Sequence, residues 1–310
     1  MKTVFPRISL LSLLSLSTLL WGQAAATGNA AENAAGDAAA GGTGAVVSAD
    51  TAAGWRPLFD GKTLNGWVER GLNGVFSVED GVIVGTTKIG RENTFLCTVR
   101  DYADFELELE YKVPERMNSG VQIRSAFNPS KKPLPLLGVP PLPVSAADAA
   151  KGKGAGKGAR KDGKVFASPN HVYGYQVEIE FRPGRTAGIY DEARRRGWVF
   201  PTTGTEQDAA FIKQGRDRSL FKPGEWQKLR VVCQGDRLRT WLDGVPRADV
   251  RDAASATGFI ALQVHSAPPR DAGLQARFRN IRLRPLPPVA PPATPEETAA
   301  GDAAAHSAAR

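Results

Sequence analysis

One pattern recurs through the middle of this 310-residue chain and limits what it can become: short runs in which apolar and polar residues alternate. In YGYQVEIEF (173–181), Tyr175, Val177, Ile179 and Phe181 fall on one side, and Gln176, Glu178 and Glu180 on the other. Side chains of a strand point to opposite faces with a period of two, so this run reads as a strand with one buried face. Similar runs cover 93–99, 104–113, 119–125, 225–234, 237–242, 258–266 and 275–283, and 75–85 reads as a hairpin turning at Glu79-Asp80-Gly81. Asp60-Gly61, Asn65-Gly66 and Asp243-Gly244 are turn dipeptides that tolerate positive φ. No helix of ten or more residues is expected between 54 and 285. About a dozen strands with Gly-rich turns mean an all-β sandwich or barrel, and a unit of roughly 230 residues suits a two-sheet jelly roll.

The ends read differently. Lys2 and Arg7 precede an apolar, Leu/Ser-rich stretch (8–21) and then Gln-Ala-Ala-Ala, the order of a secretory signal, so 1–26 is expected to be a cleaved leader. Its 14-residue apolar stretch is too short to span a bilayer, and the expected destination is the periplasm or the medium, with no membrane partner after cleavage. Residues 27–53 are Ala, Gly, Asn and Thr with almost no large side chains, a disordered linker, and 287–310 is a Pro/Ala tail of the same kind. The net charge of +8 suggests nucleic acid until it is located: eight basic and only two acidic residues lie within 128–170. The basicity belongs to a low-complexity insert (128–169), so a nucleic-acid partner is not expected. Cys97 and Cys233 each sit in an apolar run and read as free core thiols, although export would permit a disulfide. Trp55, Trp67, Trp198, Trp226 and Trp241 are mostly core candidates; Trp198, after an Arg-rich loop, is the one placed to stack on a ring.

Three separated strands share a feature. Gln122-Ile-Arg124, Gln176-Val-Glu178 and Gln263-Val-His265 each put a glutamine and an ionisable residue on one face, two positions apart. If they belong to one sheet, that face carries Gln, Arg, Glu and His together and does not pack on an apolar core. Such an array suits sugar hydroxyls, which need donors and acceptors at fixed positions. Each residue alone also has an ordinary explanation: solvated glutamines, a surface Glu178, an ion pair of Glu180 with Arg182, a structural His265. Zinc-spaced Cys/His clusters, EF-hand loops, phosphate loops and GxSxG elbows do not occur.

GWRPLFDGKTLNGW (54–67), FSVEDGVIVG (76–85), YADFELELEYKVPERMNSGVQIRS (102–125), YGYQVEIE (173–180), GIYDEARRRGW (188–198), GFIALQVH (258–265) and ARFRNIRLRPL (276–286) follow one another in this order. Together they resemble the 3-keto-disaccharide hydrolase domain family, whose fold is a sandwich of the concanavalin A-like lectin/glucanase type. The resemblance covers 54–286, with the basic insert as a departure from the common pattern. It implies an oligosaccharide or glycoside substrate and cleavage of the glycosidic bond of a 3-keto-glycoside. On that reading Glu178 and His265 share base and acid duties, and Arg124 or a bound divalent cation (Ca²⁺ or another) stabilises an enolate. Gln122, Gln176, Glu180, Tyr190, Asp191, Trp198 and Gln263 would position the hydroxyls. Two other readings stay open: a non-catalytic lectin-like carbohydrate-binding module, and an exported interaction domain whose basic insert docks acidic polymers.

Overall fold

The computed structural model describes residues 54–71, 74–90, 92–143, 164–180, 184–202 and 205–289. The expected leader, the linker, Phe181, the Lys/Gly/Ala half of the insert and all but the start of the tail lie outside them. Two antiparallel sheets face each other. In one, β15 (Val245–Arg251), β14 (Arg237–Leu242), β13 (Gln227–Gln234), β6 (Phe105–Lys112), β17 (Gln275–Pro285), β4 (Val82–Thr87) and β3 (Gly74–Glu79) lie in that order, with β1 (Arg56–Pro57) paired to β17. The other runs β12 (Gly197–Phe200), β11 (Ile189–Glu192), β10 (His171–Ile179), β7 (Ser119–Asn128), β16 (Gly258–Val264), β5 (Thr94–Tyr102), β2 (Trp67–Arg70). This is the two-sheet all-β sandwich expected from the alternating runs.

The inward faces make the core. Val121, Ile123, Tyr175, Val177, Ile179, Ile260 and Leu262 from one sheet meet Phe105, Leu107, Leu109, Leu229, Val231 and Phe278 from the other, and all are 1% exposed or less. Burial of that much apolar surface is the main force holding the layers together. Cys97 and Cys233 are buried free thiols, as their apolar surroundings suggested. Trp55 and Trp67 are buried, whereas Trp226 and Trp241 are half-buried beneath Arg279 and Arg230 at 4.0 and 4.4 Å.

The outward face of the first sheet explains the acidic alternation of 104–113. Glu106 pairs with Arg230 and Arg284, Glu108 with Lys228 and Arg282, and Glu110 with Arg279, all across neighbouring strands. Opposite charges across a ladder, directly from β17 and diagonally from β13, stabilise the sheet and offset the repulsion along β6. These carboxylates are therefore structural.

Two expectations are corrected. A helix, α1 (Glu206–Gly215), is ten residues long and opens on a capping box in which Thr205 and Asp208 satisfy each other's backbone N–H groups. Its apolar stripe is narrow: Phe211 alone is fully sequestered among the large side chains, stacked edge-on against Phe200 at 4.9 Å, so the sequence shows little helical period. The insert is also less featureless than expected, since β8 (Leu134–Pro135) pairs with β9 (Phe166–Ala167) at its base.

Arg124 is displaced by a bulge. Gln122 and Ser125 oppose Ala261 and Phe259, so three steps along β7 face two along β16, and Arg124 takes φ +46. The alternation breaks there, and the guanidinium reaches toward the other sheet. It donates to the carbonyls of Ala103 and Gly235 at 2.7 and 2.6 Å and to Asp104 at 2.7 Å. Arg124→Ala is expected to lower the unfolding free energy by about 3–5 kcal/mol by stranding a largely buried carboxylate. Chemical denaturation measures this as a lowered midpoint.

Candidate active site

The outward face of the second sheet is polar, for reasons that can be followed strand by strand. Gln176 on β10 lies opposite Gln122 on one side and Tyr190 on the other, and Tyr190 lies opposite Trp198. One row further, Glu178 and Gln263 flank Gly120 of β7. A Cβ on Gly120 would lie 2.7 Å from the Gln176 side chain, so the glycine lets that amide lean across the strand. Above these rows is a cleft of about 470 Å³. Its volume is ordinary for a small-ligand site.

The floor is a directed hydrogen-bond chain. Ser125 Oγ donates to Gln122 Oε1 at 2.7 Å, and Gln122 Nε2 donates to Gln176 Oε1 at 2.7 Å. Gln263 Nε2 also donates to Gln176 Oε1, at 2.9 Å. With its oxygen taken twice, Gln176 turns its amide N–H toward Glu178 Oε2, 3.2 Å away. Asn118 Nδ2 donates to the other oxygen, Glu178 Oε1, at 2.6 Å. The remaining oxygens, Gln263 Oε1 and Asn118 Oδ1, are buried without a hydrogen-bond partner among the described residues. An unpaired buried acceptor costs about 1–3 kcal/mol, so these two atoms mark where ligand donors belong.

Glu178 is only 4% exposed. Burial, and then the nearby Glu180 carboxyl, push its pKa from 4.5 up to about 8, against the opposing hydrogen bonds from Gln176 and Asn118. At neutral pH this carboxyl is protonated. The far wall carries Glu192, His171, His265, Asn93 and Arg196. Burial raises Glu192, while His171, His265 and Arg196 oppose the rise. His171 Nε2 stands 3.7 Å from Glu192 Oε1. His265 Nδ1 lies 2.7 Å from the Ser266 carbonyl, which can only accept, so the contact calls for a hydrogen on Nδ1 and makes Nε2 the acceptor of the neutral ring. Tyr190 is raised to about 12, chiefly by burial, and stays a phenol donor. Arg185 stacks over Trp198 at 4.6 Å.

Of the residues expected in the site, Glu178, His265, Gln176, Glu180, Tyr190, Trp198 and Gln263 line the cleft. Gln122 lies beneath them as a support. Arg124 and Asp191 do not reach it. Arg124 is drawn away by the bulge, and Asp191, fully buried between Tyr190 and Glu192 in sequence, points to the opposite face, where Arg194 and Arg195 bind it. Several others that line the cleft went unrecognised in the sequence, among them Asn118, Asn93, His171, Glu192 and Arg196. Glu192 could have been found, since alternation from Tyr190 puts it on the same face.

Among the described residues no three His, Cys, Asp or Glu side chains converge as a metal-ligand set. No step below is routed through the divalent cation that the resemblance brought in. A larger hollow of about 620 Å³ lies on the other sheet beside Trp55, but its carboxylates are engaged: Glu108 and Glu110 by Lys228, Arg282 and Arg279, and Asp60 by Lys62 and Thr63 of its own turn.

Residues 54–284 match the model of the 3-keto-alpha-glucoside-1,2-lyase-like domain. The chain belongs to this family. The lyase-like domain thus spans both sheets and every cleft residue named above. No curated protein sequence matches it. Among solved structures, a protein of Parabacteroides distasonis ATCC 8503 provisionally assigned as a glycosyl hydrolase shares 18% identity over 78% of this chain and 99% of its own, with a TM-score of 0.44. The carbohydrate-binding module CBM66 of Bacillus subtilis shares 14% over 71% and 95%, TM-score 0.41. The exoplasmic/lumenal domain of VIP36, in a Ca²⁺/Man3GlcNAc-bound form, shares 13% over 77% and 90%, TM-score 0.39.

Two outcomes follow from the geometry of the lyase-like domain. Between pH 4.5 and about 8 the unfolded chain ionises Glu178 while the folded one keeps its proton, so stability falls as pH rises across that window. Glu178→Gln removes the penalty, and the new amide can be accepted if Asn118 flips to present its free oxygen. The variant is expected to gain a few kcal/mol over the wild type, growing through the window and level above it, in denaturant titrations at stepped pH. Gly120→Ala should push Gln176 off Glu178 and lower substrate turnover about 10-fold or more, with stability reduced by roughly 1–3 kcal/mol; parallel kinetics and unfolding measure both.

Proposed function

We propose that the protein cleaves the glycosidic bond of a 3-keto-glycoside by elimination across C1–C2 followed by hydration. The observation that carries the reading is the neutral, buried carboxyl of Glu178 facing a histidine wall across a sugar-sized polar cleft; family membership supports it. A ketone at C3 acidifies the C2 proton, because the carbanion delocalises into the carbonyl. His265 Nε2 takes that proton. The electron pair forms the C1=C2 bond as the C1–O bond breaks, and Glu178 donates its proton to the departing oxygen. Water then adds across the double bond, hydroxyl to C1 and proton to C2, and the sum is hydrolysis. Acid and base of this kind each contribute about 10²–10⁴-fold. Arg196, on the cleft wall, takes the electrostatic part first expected of Arg124, opposite the enolate oxygen. Gln263 Oε1 and Asn118 Oδ1 accept from ring hydroxyls, and Trp198 and Tyr190 present a ring-sized aromatic wall. Ordinary glycosidases instead set two carboxyl groups across the scissile bond.

The leader pattern of 1–26 supports export, so the reaction is proposed to run outside the cytoplasm.

The test incubates the purified protein with a 3-keto-disaccharide and follows the released monosaccharide. Release is expected, reduced at least about 100-fold in Glu178→Gln and His265→Ala. Activity should also fall as pH rises through about 8, where Glu178 loses the proton it must donate. Saturable binding of the unoxidised glycan with no release would favour the lectin-like reading.

A further inference from the structure

The cleft does not end at Glu178. Beyond it lies a second hollow of about 230 Å³, and Asn118 and Glu180 line both. These two residues bracket the acid: Asn118 donates to Glu178 Oε1, and Glu180 follows it by two positions on the same face. The border between the hollows therefore runs beside the Glu178 carboxyl. On the reading above, that carboxyl protonates the glycosidic oxygen, and this oxygen by definition joins the reacting ring to its leaving group. A ring in the first hollow places its leaving group in the second.

The second hollow is built for hydroxyls. Arg116 and Arg270, both largely exposed, converge on one carboxylate, Asp271, at 3.2 and 3.3 Å. Asp271 is 7% exposed; its Oδ1 stands in ion-pair contact with Arg116 Nε and makes no hydrogen bond among the described residues. Two guanidiniums share Asp271, and Glu115 and Glu180 also line the hollow, so charged donors and acceptors stand side by side, with Asn118 Oδ1 as a further acceptor. Met117, 3% exposed, gives the hollow an apolar spot. Alternating donors and acceptors around a small apolar patch fit a second pyranose.

We propose that the hollow lined by Arg116, Arg270 and Asp271 is the leaving-group subsite, and that it selects a sugar over a small alkyl aglycone. This rests on the elimination reading of the neighbouring cleft. Arg116 and Arg270 are positioning residues; neither touches the reacting atoms.

The test compares two substrates with the same reacting ring, 3-keto-trehalose and methyl 3-keto-α-glucoside, in the full chain. Wild type should prefer the disaccharide. Arg270→Ala and the double variant with Arg116→Ala should lose about 10- to 100-fold in kcat/KM on the disaccharide, mostly through KM, and keep their rate on the methyl glycoside within about twofold. Free glucose, competing for the vacated subsite after turnover, should inhibit wild type more strongly than the variants. Should the double variant unfold, Arg270→Ala alone carries the comparison, because its side chain is 80% exposed. Equal losses on both substrates, or no loss on either, would overturn the subsite while leaving the elimination reading intact. A wild type that turns over neither substrate would overturn the elimination reading, and the subsite with it.

Discussion

A carboxylic acid buried among amides is the constraint around which this sandwich is arranged. Removing Glu178 from water makes ionisation costly, and the second acid at Glu180 raises the cost again. Such a group can persist only if both its oxygens are satisfied, which Asn118 and Gln176 do. Gln176 in turn can face Glu178 only because Gln122 of the adjacent β7 and Gln263 of β16, one strand further on, occupy its oxygen. The order β10–β7–β16 is thus a requirement of the acid's environment, as each strand supplies one amide of the set. Gly120 completes it by leaving the space that the Gln176 side chain crosses.

The two sheets treat acidic residues in opposite ways. On β6, three glutamates each meet cations from β13 or β17, and burial under long Arg side chains strengthens pairs that would be weak in open water. On β10, Glu178 has amides and another carboxyl nearby, and among the described residues it pairs with no cation. Alternation of Glu with apolar residues looks the same in both strands. Partner identity separates them, and partners are set by the sheet order.

That contrast shows what was legible in the chain. Period two revealed the strands, and the inward positions Val121, Ile123, Val177 and Ile179 were correctly read as core because burial follows directly from alternation. The Gln-x-ionisable repeat located the floor of the cleft for the same reason. It failed at Arg124, where one residue of bulge reverses the facing; Asp191, expected in the cleft from the resemblance, lies on the opposite face by the alternation from Tyr190. His171, Asn93 and Arg196 come from the ends of strands or from turns, whose approach to the cleft depends on how the sheet twists and closes. The helix Glu206–Gly215 went unseen because a cap and one aromatic anchor hold it rather than a broad apolar stripe.

The most direct test of the account is the ionisation of Glu178 itself. Difference infrared spectra of the wild type against Glu178→Gln, collected from pH 5 to pH 10, isolate the carbonyl stretch of this one protonated carboxyl. The account expects that band to be present at pH 7 and to vanish with a midpoint near 8. A carboxyl already ionised at pH 6 would contradict it, and with it the assignment of Glu178 as the acid.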